Sequence, residues 1–203
     1  MALMPMIQPP VMRLLTNPVE RKIEMAQIRK VSKLEKIVFP AVIAIIVNLF
    51  FPPVAPLITM LMLGNLLKEV GVTERLAKTA GGALMNIIIT LTVAIGSTMA
   101  ADKFLTWDTI LIVVLGLLAL LFGTASGVIT AKIMNLFMKV KINPLIGSAG
   151  IASVPIAARV SHIVANQENP HNHLIFHAMG PNLAGVFGTA ISGGIMLALL
   201  GVQ

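Results

Sequence analysis

Residues 142–159 read INPLIGSAGIASVPIAAR. The stretch is apolar enough for a lipid bilayer, yet it holds Asn143, Ser148, Ser153, Arg159, two prolines and two glycines. A proline inside a helix removes one backbone donor and crowds the preceding turn, so this segment cannot easily remain one helix. An interrupted segment at membrane depth exposes carbonyls and amides, which must find partners in protein or in a bound ion.

The rest of the chain supports a membrane setting. Of 203 residues, 57% are hydrophobic and 11% charged, against about 25% charged in soluble domains. Mean hydropathy is +0.92. A water-soluble fold cannot hide that much apolar surface. There is no cysteine, which excludes a disulfide framework, a thiolate metal site and a cysteine nucleophile. The net charge of +7 is local: six of the fifteen Lys and Arg lie between Arg21 and Lys36, mixed with Glu24 and Glu35 and next to apolar spans. That pattern fits a cytoplasmic loop rather than a nucleic-acid surface.

The expected fold is all-α: a polytopic membrane protein with broken or re-entrant helices. Residues 1–16 are too short to cross a core of ~30 Å and read as the end of a membrane segment that begins elsewhere; no signal peptide is expected. Residues 17–36 form a charged connector. Residues 37–203 form the transmembrane part, with about four full spans. Segments 37–50 and 54–67 meet at a turn at Phe50-Phe51-Pro52-Pro53. Spans at 79–100 and 109–131 follow, the second carrying a small-residue face, GTASG, at 123–127. A broken re-entrant segment is expected over 142–165, and a last helix over 174–200 broken by Gly180-Pro181-Asn182. The connector, the return at 68–78 and the end at 132–141 hold twelve basic residues. The opposite side holds only Lys103, so the basic loops are expected to face the cytoplasm.

NPLIGSAG and GPNLAGVFG each place an Asn beside a Pro and follow it with small residues. An Asn carbonyl is a hard oxygen ligand, and sodium prefers oxygen. Asn143 and Asn182 are therefore candidate cation ligands. Ser148 and Ser153 add hydroxyls, and Gly147 and Gly150 let backbone approach closely. The plainer alternative is that Asn-Pro caps a helix and the glycines serve packing. Arg159 is the only charged residue between Lys141 and Glu168. Its burial in lipid would be costly, so it is expected to meet water, a carboxylate or an anionic ligand; snorkelling is the simpler reading. His173 and His177 have the spacing of a zinc pair, but no HExxH accompanies them, and no metal other than sodium is expected. His177 is a candidate proton carrier. No Asp or Glu falls inside a predicted span, although a cation pump normally keeps one there.

Several stretches together resemble one family. MALMPMIQPPVMRLL, IRKVSKLEKIVFP, PLITMLMLGNLLKEVGVTERL, ADKFL, AKIMNLFMKVKINPLIGSAG, VPIAARVS and HAMGPNLAGVFG are similar to the β subunit of the biotin-dependent sodium-pumping decarboxylases. These act on oxaloacetate, methylmalonyl-CoA, glutaconyl-CoA or malonate. The resemblance implies an inner-membrane subunit that decarboxylates carboxybiotin and couples this to Na+ export through an inverted-repeat fold. It also implies a carboxyltransferase and biotin-carrier partner, a small membrane subunit, membrane lipid and a homo-oligomer. The family's sodium-site asparagines match Asn143 and Asn182; its important glycine and arginine match Gly147 and Arg159. A family serine falls on Ala152, with Ser153 beside it. Family members are about twice as long, and their membrane aspartate lies in the other half. The expectation is a C-terminal half, inactive alone, with the N-terminal half on another chain. Two other readings stay open: a sodium-coupled transporter of a small organic anion, and a non-catalytic membrane scaffold.

Overall fold

The computed structural model describes residues 3–26, 29–50, 52, 55–100 and 105–200, and these are helical or irregular with no strand among them. The helices are α1 (Met4–Leu15), α2 (Pro18–Arg21), α3 (Lys33–Phe50), α4 (Ala55–Val70), α5 (Glu74–Thr79), α6 (Met85–Ser97), α7 (Trp107–Phe137), α8 (Ile156–Glu168) and α9 (Ile175–Leu199). A π-helical turn over Ala80–Leu84 joins α5 to α6, and a 3-10 helix over Pro144–Ala149 precedes α8. The expected turn at 50–53 and the loop at 101–108 lie partly outside the described residues. The chain forms two compact units: residues 1–28 with 112–189, and residues 29–111 with 190–203.

In the second unit, α3 starts on a reciprocal cap. The Glu35 N–H donates to Ser32 Oγ at 3.2 Å, and the Ser32 N–H donates to Glu35 Oε2 at 2.9 Å, so two donors orphaned at a helix start are satisfied. α3 and α4 form an antiparallel hairpin held at both ends. Asn48 Nδ2 donates to Thr59 Oγ1 at 2.8 Å. At the far end Asn65 Nδ2 donates to the Lys36 carbonyl at 2.9 Å, and Lys36 pairs with Glu69 at 3.4 Å. The run from Glu74 to Ser97 has 24 residues, about 36 Å at 1.5 Å per residue, enough for a ~30 Å hydrocarbon core. All 13 residues of α6 are exposed. A helix apolar on every side has no face suited to water, so α6 needs lipid or partner helices around it. The π turn falls on AGGAL, where small side chains tolerate the wider ladder.

The first unit holds the core. α7 has 31 residues and mean hydropathy 2.5 over its most apolar window. Glu74–Ser97 and Trp107–Phe137 are the two helices among the described residues that are long and apolar enough to cross a membrane. One apolar cluster joins Met12, Val128, Leu145, Ile146, Val160, Val164 and Leu174. A second joins Met4, Ala149, Ile151, Ala157, Ala158 and Ala178. On α1 the buried residues are Met4, Gln8 and Met12; a four-residue step keeps them on one helix face. Asn135 ends α7: its Nδ2 donates to the Ile142 carbonyl at 2.7 Å and its Oδ1 accepts from the Ile142 N–H at 2.8 Å. These two bonds fold the chain back toward the helix and aim it at Asn143.

The break expected in 142–165 takes the form of the 3-10 helix, an irregular stretch at 150–155 and then α8. The last helix differs from its expectation. Ile175–Leu199 is one α-helix with Pro181 inside it, so Gly180-Pro181-Asn182 does not break it. The crowding that proline imposes falls partly on the Cβ of the residue before it, and Gly180 has none. α9 therefore loses one backbone bond but keeps its course.

Candidate cation site

Asn143 is the N-cap of the 3-10 helix. Its Oδ1 accepts from the Leu145 N–H at 3.0 Å, and its Nδ2 donates to the carbonyls of Arg21 at 2.8 Å and Ile23 at 3.0 Å. The side chain is fully buried, and its carboxamide is engaged on both sides. It ties the 3-10 helix to the segment after α2. Asn172 Nδ2 donates to the same Ile23 carbonyl at 2.9 Å.

Asn182 is placed differently. From the second turn of α9 its Nδ2 donates to the carbonyls of Ala149 at 2.8 Å and Ile151 at 2.9 Å. Its Oδ1 is buried and has no donor. Ser153 Oγ is also buried and without a partner. The Ser153 N–H donates to the Ile151 carbonyl at 2.7 Å, the oxygen that Asn182 also uses. The two residues with unsatisfied side-chain oxygens thus bond the same carbonyl through their nitrogens. Buried polar atoms are nearly always paired, and an oxygen left unpaired costs about 1–3 kcal/mol. Oxygens with spare lone pairs are the ligand type that a hard monovalent cation takes. The six-residue 3-10 helix separates this pair from Asn143, by about 12 Å at ~2 Å per residue.

The glycines act by close approach. A Cβ on Gly147 would overlap the Gly127 carbonyl, and one on Gly127 would overlap the Gly147 carbonyl. A Cβ on Gly185 would lie 2.7 Å from the Gly150 carbonyl carbon, so α9 crosses the irregular stretch at Gly150 with bare backbone. Ser148 is fully buried, but it faces α1 rather than Asn182: its Oγ donates to the Leu145 carbonyl at 2.6 Å and lies 2.8 Å from Ser161 Oγ. Arg159 is exposed on α8 and has no carboxylate partner among the described residues. His177, half-buried on α9, lines a cavity of about 580 Å³ with Glu24, Met25, Asn172, His173 and Phe176. His173 precedes α9, so the two histidines do not share a helix face. The His162 and His173 rings stack at 6.0 Å.

Sequence reading missed four contributors. Gln8 is fully buried against Ser148 and Ser161, and Gly127 and Gly185 supply the close crossings. Arg21, 8% exposed, pairs with Glu168 at 2.9 Å and donates to the Thr16 carbonyl at 2.7 Å. Within a run of six basic residues nothing singled Arg21 out. GTASG did signal a packing face, but not its partner.

The family model described as the Na+-transporting oxaloacetate decarboxylase β subunit matches residues 1–200. The chain belongs to this family. It is 55% identical over 202 residues to the methylmalonyl-CoA decarboxylase subunit β of Propionigenium modestum, covering 99% of this chain and 51% of that one. It is 54% identical to the probable oxaloacetate decarboxylase β chain of Vibrio cholerae, over 97% of this chain and 46% of the relative. It is 54% identical to the glutaconyl-CoA decarboxylase subunit β of Acidaminococcus fermentans, over 99% and 54%. The chain spans about half the length of the curated relatives it matches. Membership of this β-subunit family and the two long apolar helices locate the protein in a membrane.

Proposed function

We propose that this chain is the C-terminal half of the membrane subunit of a sodium-exporting decarboxylase, coupling decarboxylation of carboxybiotin to Na+ transport across the inner membrane. The observation that carries the reading is that Asn182 Oδ1 and Ser153 Oγ are buried without a hydrogen-bond partner, on two residues whose nitrogens bond the same Ile151 carbonyl. In this reading they coordinate sodium, and the glycine crossings hold the interrupted backbone around it. Asn143 sets the register of the 3-10 helix and completes the cation path in another state of the cycle. Among the described residues the buried polar set contains no Asp or Glu, so in this reading the charge that balances sodium comes from elsewhere in the subunit or its partners.

The reaction runs on carboxybiotin brought by a carrier domain: the N–CO2 bond breaks, the nitrogen takes a proton and CO2 leaves. Exposed Arg159 meets the carboxylate of the incoming group, and His177 lies on the proton route. Sodium and carboxybiotin favour different conformations, and that difference is the coupling. The partners are the carboxyltransferase and carrier subunits and a small membrane subunit, in an assembly containing several copies. The fold is multi-pass, with basic loops cytoplasmic and this half one repeat of an inverted pair.

The test is reconstitution of the assembled complex in proteoliposomes with 22Na+. Asn182→Ala and Ser153→Ala should each abolish or sharply reduce sodium uptake driven by decarboxylation, with assembly intact. Full sodium transport by both variants would refute the proposal.

A further inference from the structure

Gln8 is fully buried on α1. Its Nε2 lies 3.1 Å from the Ser148 carbonyl, 3.2 Å from Ser148 Oγ, 3.2 Å from the Ala157 carbonyl and 3.2 Å from Ser161 Oγ. A carboxamide nitrogen has two hydrogens, so four oxygens converge on a group that can satisfy two of them. The hydroxyls relieve only part of this: Ser148 Oγ has the Leu145 carbonyl at 2.6 Å, Ser161 Oγ has the Ala157 carbonyl at 2.9 Å, and the two hydroxyls lie 2.8 Å apart with one hydrogen each. At the other end of the amide, Oε1 is buried with no donor. The amide is thus oversupplied with acceptors on one side and starved of donors on the other.

A point surrounded by four oxygens from two elements, with a fifth oxygen unpaired on the residue that fills it, has the chemistry of a small-cation site. We infer that the Ser148, Ala157 and Ser161 oxygens form a second monovalent-cation station and that the Gln8 carboxamide is its plug. With the station empty, the partly positive NH2 occupies the cation's place. With a cation bound, the amide turns over, and Oε1 gains in the ion the partner it lacks. This station is distinct from the Asn182–Ser153 pair but adjacent to it. The Ser148 carbonyl faces Gln8, and the next carbonyl, of Ala149, accepts from Asn182. One peptide unit links the two.

The inference concerns ion binding and does not depend on carboxybiotin coupling. Its test is the equilibrium binding isotherm of 22Na+ to the assembled complex in lipid nanodiscs, over a range of pH. Gln8→Glu places a carboxylate in the oxygen cluster. It should tighten sodium binding by about tenfold or more, since opposite charges at contact distance attract strongly in a partly buried site. The gain should disappear on acidification as the carboxyl protonates, and on addition of Ser161→Ala. It should survive Asn182→Ala, which marks the other station. If Gln8→Glu does not assemble, Ser161→Asp delivers the carboxylate from α8, with Ser148→Ala in place of Ser161→Ala as its control. A folded variant with native sodium affinity at every pH overturns the inference, as does a gain that Asn182→Ala abolishes. Loss of decarboxylation-driven transport with binding intact would bear on the coupling alone.

Discussion

Asn182 and Ser153 meet on one oxygen. The Ile151 carbonyl accepts from Asn182 Nδ2 at 2.9 Å and from the Ser153 backbone N–H at 2.7 Å, and each of the two residues keeps a buried side-chain oxygen with no donor. The Asn182 side chain makes the hydrogen bonds of its site while the Ser153 hydroxyl makes none, so substitutions at the two differ in what they remove.

Ser153→Ala removes a hydroxyl that makes no hydrogen bond in the structure. It should leave thermal stability unchanged or slightly raised, because a buried unpaired oxygen is deleted. Sodium affinity should fall. Asn182→Ala strips a donor from two buried carbonyls and should cost about 1–3 kcal/mol for each one left unsatisfied. Thermal melts in detergent paired with 22Na+ binding distinguish the two variants. Equal loss of stability in both would contradict the geometry.

Gly147→Ala and Gly127→Ala each drive a methyl into the other's backbone carbonyl. Backbone cannot rotate away as a side chain can, so each should cost at least about 1–3 kcal/mol. Gly188, on the same α9 that carries Gly185, has open space where its Cβ would stand. Gly188→Ala should be neutral or stabilising by up to about 1 kcal/mol. Denaturation midpoints of the three variants in one detergent make the comparison.

Arg21 and Glu168 tie α2 to the end of α8, with side chains 10% and 27% exposed. Removing one partner of a buried pair costs about 3–5 kcal/mol. The partial exposure of Glu168 brings Glu168→Gln down to about 1–3 kcal/mol, since the freed guanidinium keeps its bond to the Thr16 carbonyl. A double-mutant cycle with Arg21→Met should show positive coupling. Additive effects would mean that the pair carries no energy of its own.

The Glu35 carboxyl, in the charged connector, is held below the usual carboxylate range: first by the Ser32 backbone N–H, then by Arg29 and the Ser32 hydroxyl. A lowered folded-state pKa means the cap is at full strength above the unfolded value, about 4.3. It weakens as pH falls through the lowered value. The protection of the Ser32 amide, its exchange rate relative to the intrinsic rate at each pH, should therefore fall only under acid conditions, and Glu35→Gln should remove that dependence. A loss of protection near neutrality would contradict the assignment.

The helices Glu74–Ser97 and Trp107–Phe137 were legible because long apolar runs declare themselves by length and apolarity. The α3–α4 hairpin followed from two apolar runs around a proline pair, and the break at Asn143-Pro144 from proline chemistry. The continuity of α9 was hidden because the tolerance of Pro181 depends on the missing Cβ of Gly180, a packing detail weaker in sequence than proline itself. The Asn residues stood out by their motifs, but their unequal use did not. Which carboxamide ends up with a spare oxygen depends on carbonyls far away in the chain, Arg21 and Ile23 for Asn143, Ala149 and Ile151 for Asn182. Gln8 carried no local signal at all, since its partners lie 140 or more residues away.

Where Gly127 and Gly147 cross, two main chains touch with no side chain between them. Such a joint has no rotamers to absorb a push. A displacement of Ser148, one residue along, must either carry the neighbouring turn of α7 with it or part the contact altogether. The crossing works as a rigid bearing rather than a cushion, and it passes any shift of the 3-10 helix straight to α7.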